Sequence, residues 1–315
     1  MRLSYPMSSG PAEMQRERTT PGADRSRAPM RLFFPRERVR ESSMKPILRV
    51  ENLTKIYPGS GIIKRYPVKA LDNISFTVNE GDIFGLVGES GSGKTTLARC
   101  ILFLEPPTSG KVYYGNLCLN NVPWYHWKKL RSRMQIIFQD PNSALNPRIP
   151  IRKSLEEGLI NLGYSKKQRN DTIRKLLDQV GIPYNQVDWY PHEFSGGQKQ
   201  RIIIARALSM NPKFIVLDEP VSNLDVSIQA GIINLLMDLK REFNLTYIFI
   251  SHDLDLIAYL STKIGVLKGG QLVEVGNAED VLSHPLHPYT RFLLENPLSF
   301  HSKIQPWETI AKETI

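Results

Sequence analysis

Residues 83–102 impose the strongest constraint on this chain. A short apolar run, Ile83-Phe84-Gly85-Leu86-Val87, leads into Gly88-Glu89-Ser90-Gly91-Ser92-Gly93-Lys94-Thr95, and from Thr95 and Thr96 onward the pattern turns helical. The loop fits the phosphate-binding pattern G-x-x-x-x-G-K-[ST], and it stands in the required order of strand, glycine loop and helix. Glycines let successive backbone N–H groups turn inward as a nest for phosphate oxygens, and the following helix presents the positive end of its dipole there. Gly88, Glu89, Ser90, Gly91, Ser92, Gly93, Lys94, Thr95 and Thr96 are therefore the expected nucleotide cradle. Lys94 would reach the β- and γ-phosphates, and the Thr95 hydroxyl would bind Mg²⁺.

Further chemistry follows at sheet-edge positions. Residues 213–217 and 246–250 are continuous apolar runs, expected for strands buried on both faces of a parallel sheet. Leu217-Asp218-Glu219-Pro220 ends the first, where a carboxylate emerges beside the phosphate loop. Asp218 is expected to hold Mg²⁺ and Glu219 to polarise an attacking water. Ser222-Asn223-Leu224-Asp225 comes next, and Ser251-His252-Asp253 ends the second run. A lone histidine is usually structural and an acidic pair often only caps a helix, but the joint order of these pieces argues for a site.

The rest of the chain divides by composition. Residues 1–43, with eight arginines between Arg16 and Arg40 interspersed with Pro, Ser and Thr, show no apolar periodicity. They read as a disordered basic extension, and Met44 is an alternative start of translation. Residues 47–57 and 73–78 alternate as half-buried antiparallel strands joined by a long turn at 58–67. Residues 124–190 are rich in helical periodicity, notably 165–180, and imply a helical subdomain inserted into the sheet domain. Residues 264–267 and 271–275, joined at Gly269-Gly270, read as a hairpin. A domain at 44–295 and a tail at 296–315 complete the division.

The 315 residues carry a formal net charge of +10, which suits nucleotide or another acidic partner. No DNA- or RNA-reading signature is present, so nucleic acid is not expected. Cys100 and Cys118, the only cysteines, suit core packing in a reducing compartment. No segment approaches the roughly 20 uninterrupted apolar residues that cross a bilayer, nor is there a secretory leader.

On these residues the chain resembles the ATP-binding subunits of ABC transporters across 47–295. The resemblance makes Gly88–Thr95 the Walker A loop, Gln139 the Q-loop glutamine, Ser195-Gly196-Gly197-Gln198 the signature, 214–218 the Walker B strand, 222–225 the D-loop with Asp225, and His252 the switch histidine. Tyr57 stands where the family places an adenine-stacking aromatic, with Tyr66 as a rival. The runs 138–148, 191–198, 225–230 and His287-Pro288-Tyr289-Thr290 are similar to oligopeptide/dipeptide importer ATPases, and more to the second of their two unlike ATPase subunits. Residues 287–290 read either as a cap and packing contact for the last helix or as taking a direct substrate role.

The resemblance implies an α/β fold: a P-loop NTPase core with a mainly parallel sheet, an N-terminal antiparallel β subdomain and the inserted helical subdomain. It implies ATP and Mg²⁺ as ligands, with Thr95, Gln139 and Asp218 around the metal and Glu219 and His252 as catalytic residues. It further implies a head-to-tail dimer with a paralogous ATPase or with itself, two membrane permeases, an extracytoplasmic binding protein, and a peripheral place on the cytoplasmic membrane face. Two departures stand out. Asn223 replaces the usual D-loop alanine, and the C-terminal tail lacks the cysteines that carry an iron–sulfur cluster in some relatives, so no cluster is expected. A non-transport ATPase in a cytosolic assembly such as a phosphonate lyase is the main alternative.

Overall fold

The computed structural model describes residues 45–59 and 66–295, all within one compact unit, Ser43–Ile315. The expected basic extension at 1–43, most of the turn at 58–67 and the tail at 296–315 lie outside the described residues.

The strands are β1 (Pro46–Tyr57), β2 (Val68–Asn79), β3 (Ile83–Val87), β4 (Ser109–Tyr114), β5 (Leu117–Cys118), β6 (Met134–Ile137), β7 (Phe214–Asp218), β8 (Thr246–Ile250), β9 (Lys263–Lys268) and β10 (Gln271–Asn277). An antiparallel sheet of four runs in the order β2-β1-β4-β5, and a second sheet of six in the order β10-β9-β3-β8-β7-β6. In the second sheet β9, β3, β8, β7 and β6 are parallel neighbours, and β10 closes it antiparallel to β9.

The helices are α1 (Lys94–Ile101), α2 (Trp127–Arg133), α3 (Pro141–Ala144), α4 (Ile151–Asn161), α5 (Lys166–Gln179), α6 (Gly196–Leu208), α7 (Val226–Phe243), α8 (Leu254–Leu260), α9 (Ala278–Ser283) and α10 (Pro288–Glu295). None is long and apolar enough to cross a membrane.

Strand periodicity explains how the layers assemble. Every residue of β3, β7 and β8 is buried, so both sheet faces are covered. Successive side chains point to opposite faces. Phe84, Leu86, Phe214, Val216, Ile248 and Ile250 thus join one core with α1 and the four-stranded sheet. Within it the rings of Phe76 and Phe84 stack at 4.9 Å. Ile83, Val87, Ile215, Leu217, Tyr247 and Phe249 enter a second core with α4 through α8.

Local chemistry sets the helix starts. Ser165 and Ser195 each accept from the N–H three residues on, and Gln168 and Gln198 reach back to the capping residue's N–H. These reciprocal boxes satisfy donors that a helix start would otherwise leave open, worth about 1 kcal/mol each.

Two elements differ from the sequence expectation. Met134–Ile137, inside the stretch read as helical, forms the edge strand β6 paired with β7. Four residues are too few for periodicity to separate strand from helix. Helix α2 precedes β6 in that stretch, and α3, α4 and α5 follow it. Strand β2 also starts earlier than 73–78, at Val68, because pairing with β1 extends through residues whose side chains do not alternate in polarity.

The hairpin of β9 and β10 turns at Gly269 and Gly270, with φ of 52° and 81°, the left-handed pair a two-residue turn requires. Gly270 N–H donates to Ser92 O, and Asp72 N–H donates to Gly270 O. This turn therefore ties the glycine loop to the four-stranded sheet. Cys100 is buried in α1, where burial pushes its thiol up to about 11, and Cys118 is partly buried; neither forms a disulfide.

Candidate functional site

The glycine loop leaves β3 and enters α1 through backbone that suits glycine. Gly88, Gly91 and Gly93 have φ of 155°, 78° and 107°. A Cβ on Gly88 would stand 2.1 Å from Leu267 O, and one on Gly93 2.6 Å from Ala70 O. Larger residues are excluded at both positions, and the loop passes directly over two neighbouring strands. Lys94 Nζ donates to Gly88 O at 2.8 Å and Glu89 O at 2.9 Å, placing the ammonium inside the loop. Burial lowers its pKa, while the charges of Glu219, Asp218 and Glu89 oppose that shift. Ser92 Oγ is buried without a hydrogen-bond partner. A buried orphan hydroxyl and a buried cation within one amide-lined loop suit an anionic ligand such as phosphate.

Thr95, exposed on the first turn of α1, donates from Oγ1 to Asp218 Oδ1 at 3.3 Å. Asp218 is only 4% exposed. Burial raises its pKa, the Thr95 bond counters that, Glu219 adds to it and Lys94 opposes it. Two hard oxygen donors side by side suit Mg²⁺, which commonly takes one or two protein ligands and completes its shell with phosphate and water. Among the described residues no group of three His, Cys, Asp or Glu side chains could hold a metal unaided.

Glu219 has φ of 49°, an uncommon backbone for a residue with a side chain. Its N–H donates to Ile250 O at 3.0 Å, so the β7–β8 pairing holds it there. Around its carboxylate converge Gln139, whose Nε2 donates to Oε2 at 3.0 Å, and His252, whose Nδ1 lies 3.3 Å from Oε2. The His252 bond holds the Glu219 carboxyl below its usual range against the upward push of burial. Reciprocally, the Glu219 bond raises the His252 pKa. Asn223 Nδ2 donates to Gln139 O at 3.4 Å, and Ser222 Oγ to Glu219 O at 3.2 Å. Three chain segments thus meet at one carboxylate.

Tyr57 is half-buried, and its hydroxyl donates to Glu105 Oε2 at 2.5 Å; Arg99 of α1 pairs with Glu105 Oε1 at 3.1 Å. This chain of contacts fixes the Tyr57 ring beside α1, whereas Tyr66 is 69% exposed. Glu105, the anchor of that ring, had no motif to mark it in the sequence.

The remaining candidates sit elsewhere. Ser195 and Gly196 are exposed at the start of α6, and Asp225 is exposed at the start of α7. A Cβ on Gly197 would stand 2.6 Å from Ile228 Cγ2, so glycine lets α6 lie close against α7. Among the described residues no hydrogen bond or ion pair joins Ser195–Gln198 to Gly88–Thr95.

His287–Thr290 forms the start of α10. Glu274 of β10 accepts the N–H groups of Leu286 at 2.8 Å and His287 at 3.0 Å, and Tyr289 Oη accepts the Glu89 N–H at 3.3 Å. His287 Nδ1 accepts the Tyr289 N–H at 3.1 Å in the first turn of the helix, and Tyr289 Oη adds a contact to the phosphate loop that the sequence did not announce.

Comparison with known proteins agrees with this geometry. Residues 71–222 match the family model described as ABC transporter, and residues 273–315 match that of the oligopeptide/dipeptide transporter C-terminal region. The chain is 46% identical over 252 residues to the oligopeptide transport ATP-binding protein OppF of Streptococcus mutans, covering 79% of this chain and 81% of the relative. It is 44% identical over 256 residues to the dipeptide transport ATP-binding protein DppF of Lactococcus lactis, covering 80% and 81%. Among solved structures it is similar to a dimeric post-hydrolysis state of the ATP-binding cassette MJ0796 bound to ADP and Pi, with a TM-score of 0.65, 30% identity and coverage of 73% and 98%. It is also similar to cbiO1 from Clostridium perfringens, part of the transporter complex cbiONQ, with a TM-score of 0.66, 28% identity and coverage of 76% and 92%. With relatives more than 40% identical and matched over about four-fifths of their length, this chain belongs to the ATP-binding subunits of ABC transporters, in the oligopeptide/dipeptide branch.

Proposed function

We propose that this chain hydrolyses ATP to power peptide import, acting on the cytoplasmic membrane face as one half of a head-to-tail ATPase pair. The observation that carries the reading is the division of the site. Lys94, Thr95, Asp218, Glu219, Gln139 and His252 gather in one place. Ser195 and Gly196, exposed at the start of α6, belong to none of those contacts. Amides at a helix start favour an anion. In a head-to-tail pair, the α6 start of one subunit meets the γ-phosphate held by the other's loop, and Asp225 lines the same seam.

Within one site, Lys94 and the loop amides bind the β- and γ-phosphates while Tyr57 stacks on adenine. Thr95 and Asp218, with Gln139 beside them, would hold Mg²⁺, which would supply charge compensation for the phosphate oxygens. Glu219 takes the proton of the attacking water. The His252 contact favours its ionised form. His252, with Nδ1 toward Glu219, donates from Nε2 to the γ-phosphate and orients the water. ATP closes the pair and ADP releases it, and this difference in affinity is the work available to an attached permease.

Partners follow from the same reading: a second ATPase subunit, two membrane permeases and an extracytoplasmic peptide-binding protein. The relatives, named as oligopeptide and dipeptide transport ATP-binding proteins, support peptides as cargo. A groove of about 770 Å³ between α3, α4 and Arg206 opens just after Gln139 and suits a permease element.

Purification of the full-length chain from its native membrane tests the proposal. Recovery with permease chains, and ATP-dependent peptide uptake by the assembly in vesicles, supports it. Recovery only with soluble enzyme subunits, without uptake, overturns it in favour of a cytosolic assembly.

A further inference from the structure

Helix α10 lies far from the phosphate loop in sequence, yet three contacts bring it there. Glu274 sits on β10, one strand beyond β9 in the sheet that carries the loop. It is buried, and its carboxylate accepts both Leu286 N–H and His287 N–H. Burial alone would raise its pKa, but these amides hold it below the usual range. Charge-assisted bonds to the two residues that lead into Pro288 are a strong fastening for the chain where it enters the helix. Leu293 and Thr290 of α10 then line an apolar seam with Val87, the last residue of β3 before the loop, and Val266. The register of the helix is set from both ends of this contact.

Tyr289 is placed by that register. Its ring is 5% exposed, and Lys268 Nζ of β9 stands 4.6 Å from the ring centroid. Its Oη accepts the N–H of Glu89, the second residue of the glycine loop. Glu89 is exposed, and its peptide immediately precedes the Ser90–Gly93 turn. Of the loop's first amides, this one is spoken for by a side chain of the C-terminal helix rather than left to a ligand.

We propose that Tyr289 is a positioning residue for nucleotide binding: its hydroxyl holds the Glu89 peptide so that the following loop amides are preorganised for phosphate, and Glu274 fastens the helix that presents it. The proposal rests on the phosphate-loop reading above and extends it by giving the C-terminal helix a part in setting ATP affinity. It gives residues 287–290 a use beyond a cap and packing contact for the last helix. Preorganised donors bind better because less ordering remains for the ligand to impose.

The test uses the full-length chain with Tyr289→Phe, which removes the hydroxyl and keeps the ring. Amide hydrogen exchange is first measured without nucleotide, in parent and variant. Exchange at Glu89 should rise several-fold while β3 and α1 remain protected, and Glu274→Gln should shift Glu89 in the same direction. The KM for Mg·ATP is then measured in the membrane assembly. One neutral hydrogen bond corresponds to a rise of about two- to tenfold, with kcat within about twofold. Unchanged exchange at Glu89, an unchanged KM, or a fall in kcat at constant KM overturns the proposal. A parent chain that does not bind ATP sinks the nucleotide reading instead, and the exchange result still decides whether Tyr289 holds the loop.

Discussion

His252 Nδ1 lies 3.3 Å from Glu219 Oε2, the two residues following the ends of neighbouring strands β8 and β7 and the glutamate adopting a left-handed backbone. The carboxylate proposed to take the proton is thus held by Gln139 and His252 without any substrate present. Glu219→Gln keeps the shape and removes the base. Turnover should fall on the order of 10²-fold or more while ATP stays bound. Size-exclusion chromatography with Mg·ATP should then show a persistent dimer; unimpaired hydrolysis would remove Glu219 from its assigned place.

The same pair makes a pH signature. The His252 pKa is raised, so its share of the interaction is complete below the ordinary imidazole value and is lost as pH rises through the folded value. The Glu219 pKa is lowered, so its share is present above the ordinary carboxylate value and is lost as pH falls through the folded value. The melting difference between parent and Glu219→Gln should therefore be largest in the window between these limits and narrow on either side. An NMR titration should also show the His252 pKa dropping toward its ordinary value in the variant. An imidazole that titrates identically in both proteins would exclude the pairing.

Two glycines of the phosphate loop should respond differently to alanine. At Gly88 the new Cβ would meet the backbone oxygen of Leu267 at 2.1 Å, and backbone cannot swing aside. Destabilisation of about 1–3 kcal/mol is expected, with loss of ATP binding. At Gly91 nothing lies within 4 Å, so only the left-handed backbone penalty of about 1–2 kcal/mol applies. Thermal melting and ATP binding of the two variants should rank Gly88→Ala below Gly91→Ala; the reverse order would contradict the close packing of β9 over the loop.

Asn223 contacts Gln139 O across an exposed 3.4 Å bond, too long and too wet to matter much for stability. Asn223→Ala should leave melting within about 0.5 kcal/mol of the parent, and ATPase turnover nearly unchanged. Reduced turnover at constant melting would instead give the side chain a part in signalling between facing subunits.

Much of this site is legible in the chain because its chemistry is local. Gly88 to Thr95 carry their own strand, turn and helix, and Ser195 with Gln198 write a capping box into four residues. The apolar runs of β3, β7 and β8 show their burial directly. What escaped depends on distant partners. Met134–Ile137 becomes a strand only because β7 offers an edge, Glu105 matters only through Tyr57, and Tyr289 reaches Glu89 only because Glu274 and the β9–β10 hairpin bring α10 back to the start of the sheet. No periodicity within a short window encodes such meetings.

Strand β3 lies between β8 and β9 in the six-stranded sheet. Both neighbours are translated long after it: β8 begins at Thr246 and β9 at Lys263. A ribosome that has made two-thirds of the protein has therefore produced a fully apolar strand with no hydrogen-bonding companion, and contacts so remote in sequence close slowly. The nascent chain must be sheltered until its last quarter emerges, and stalled or truncated products should be sticky and quickly degraded.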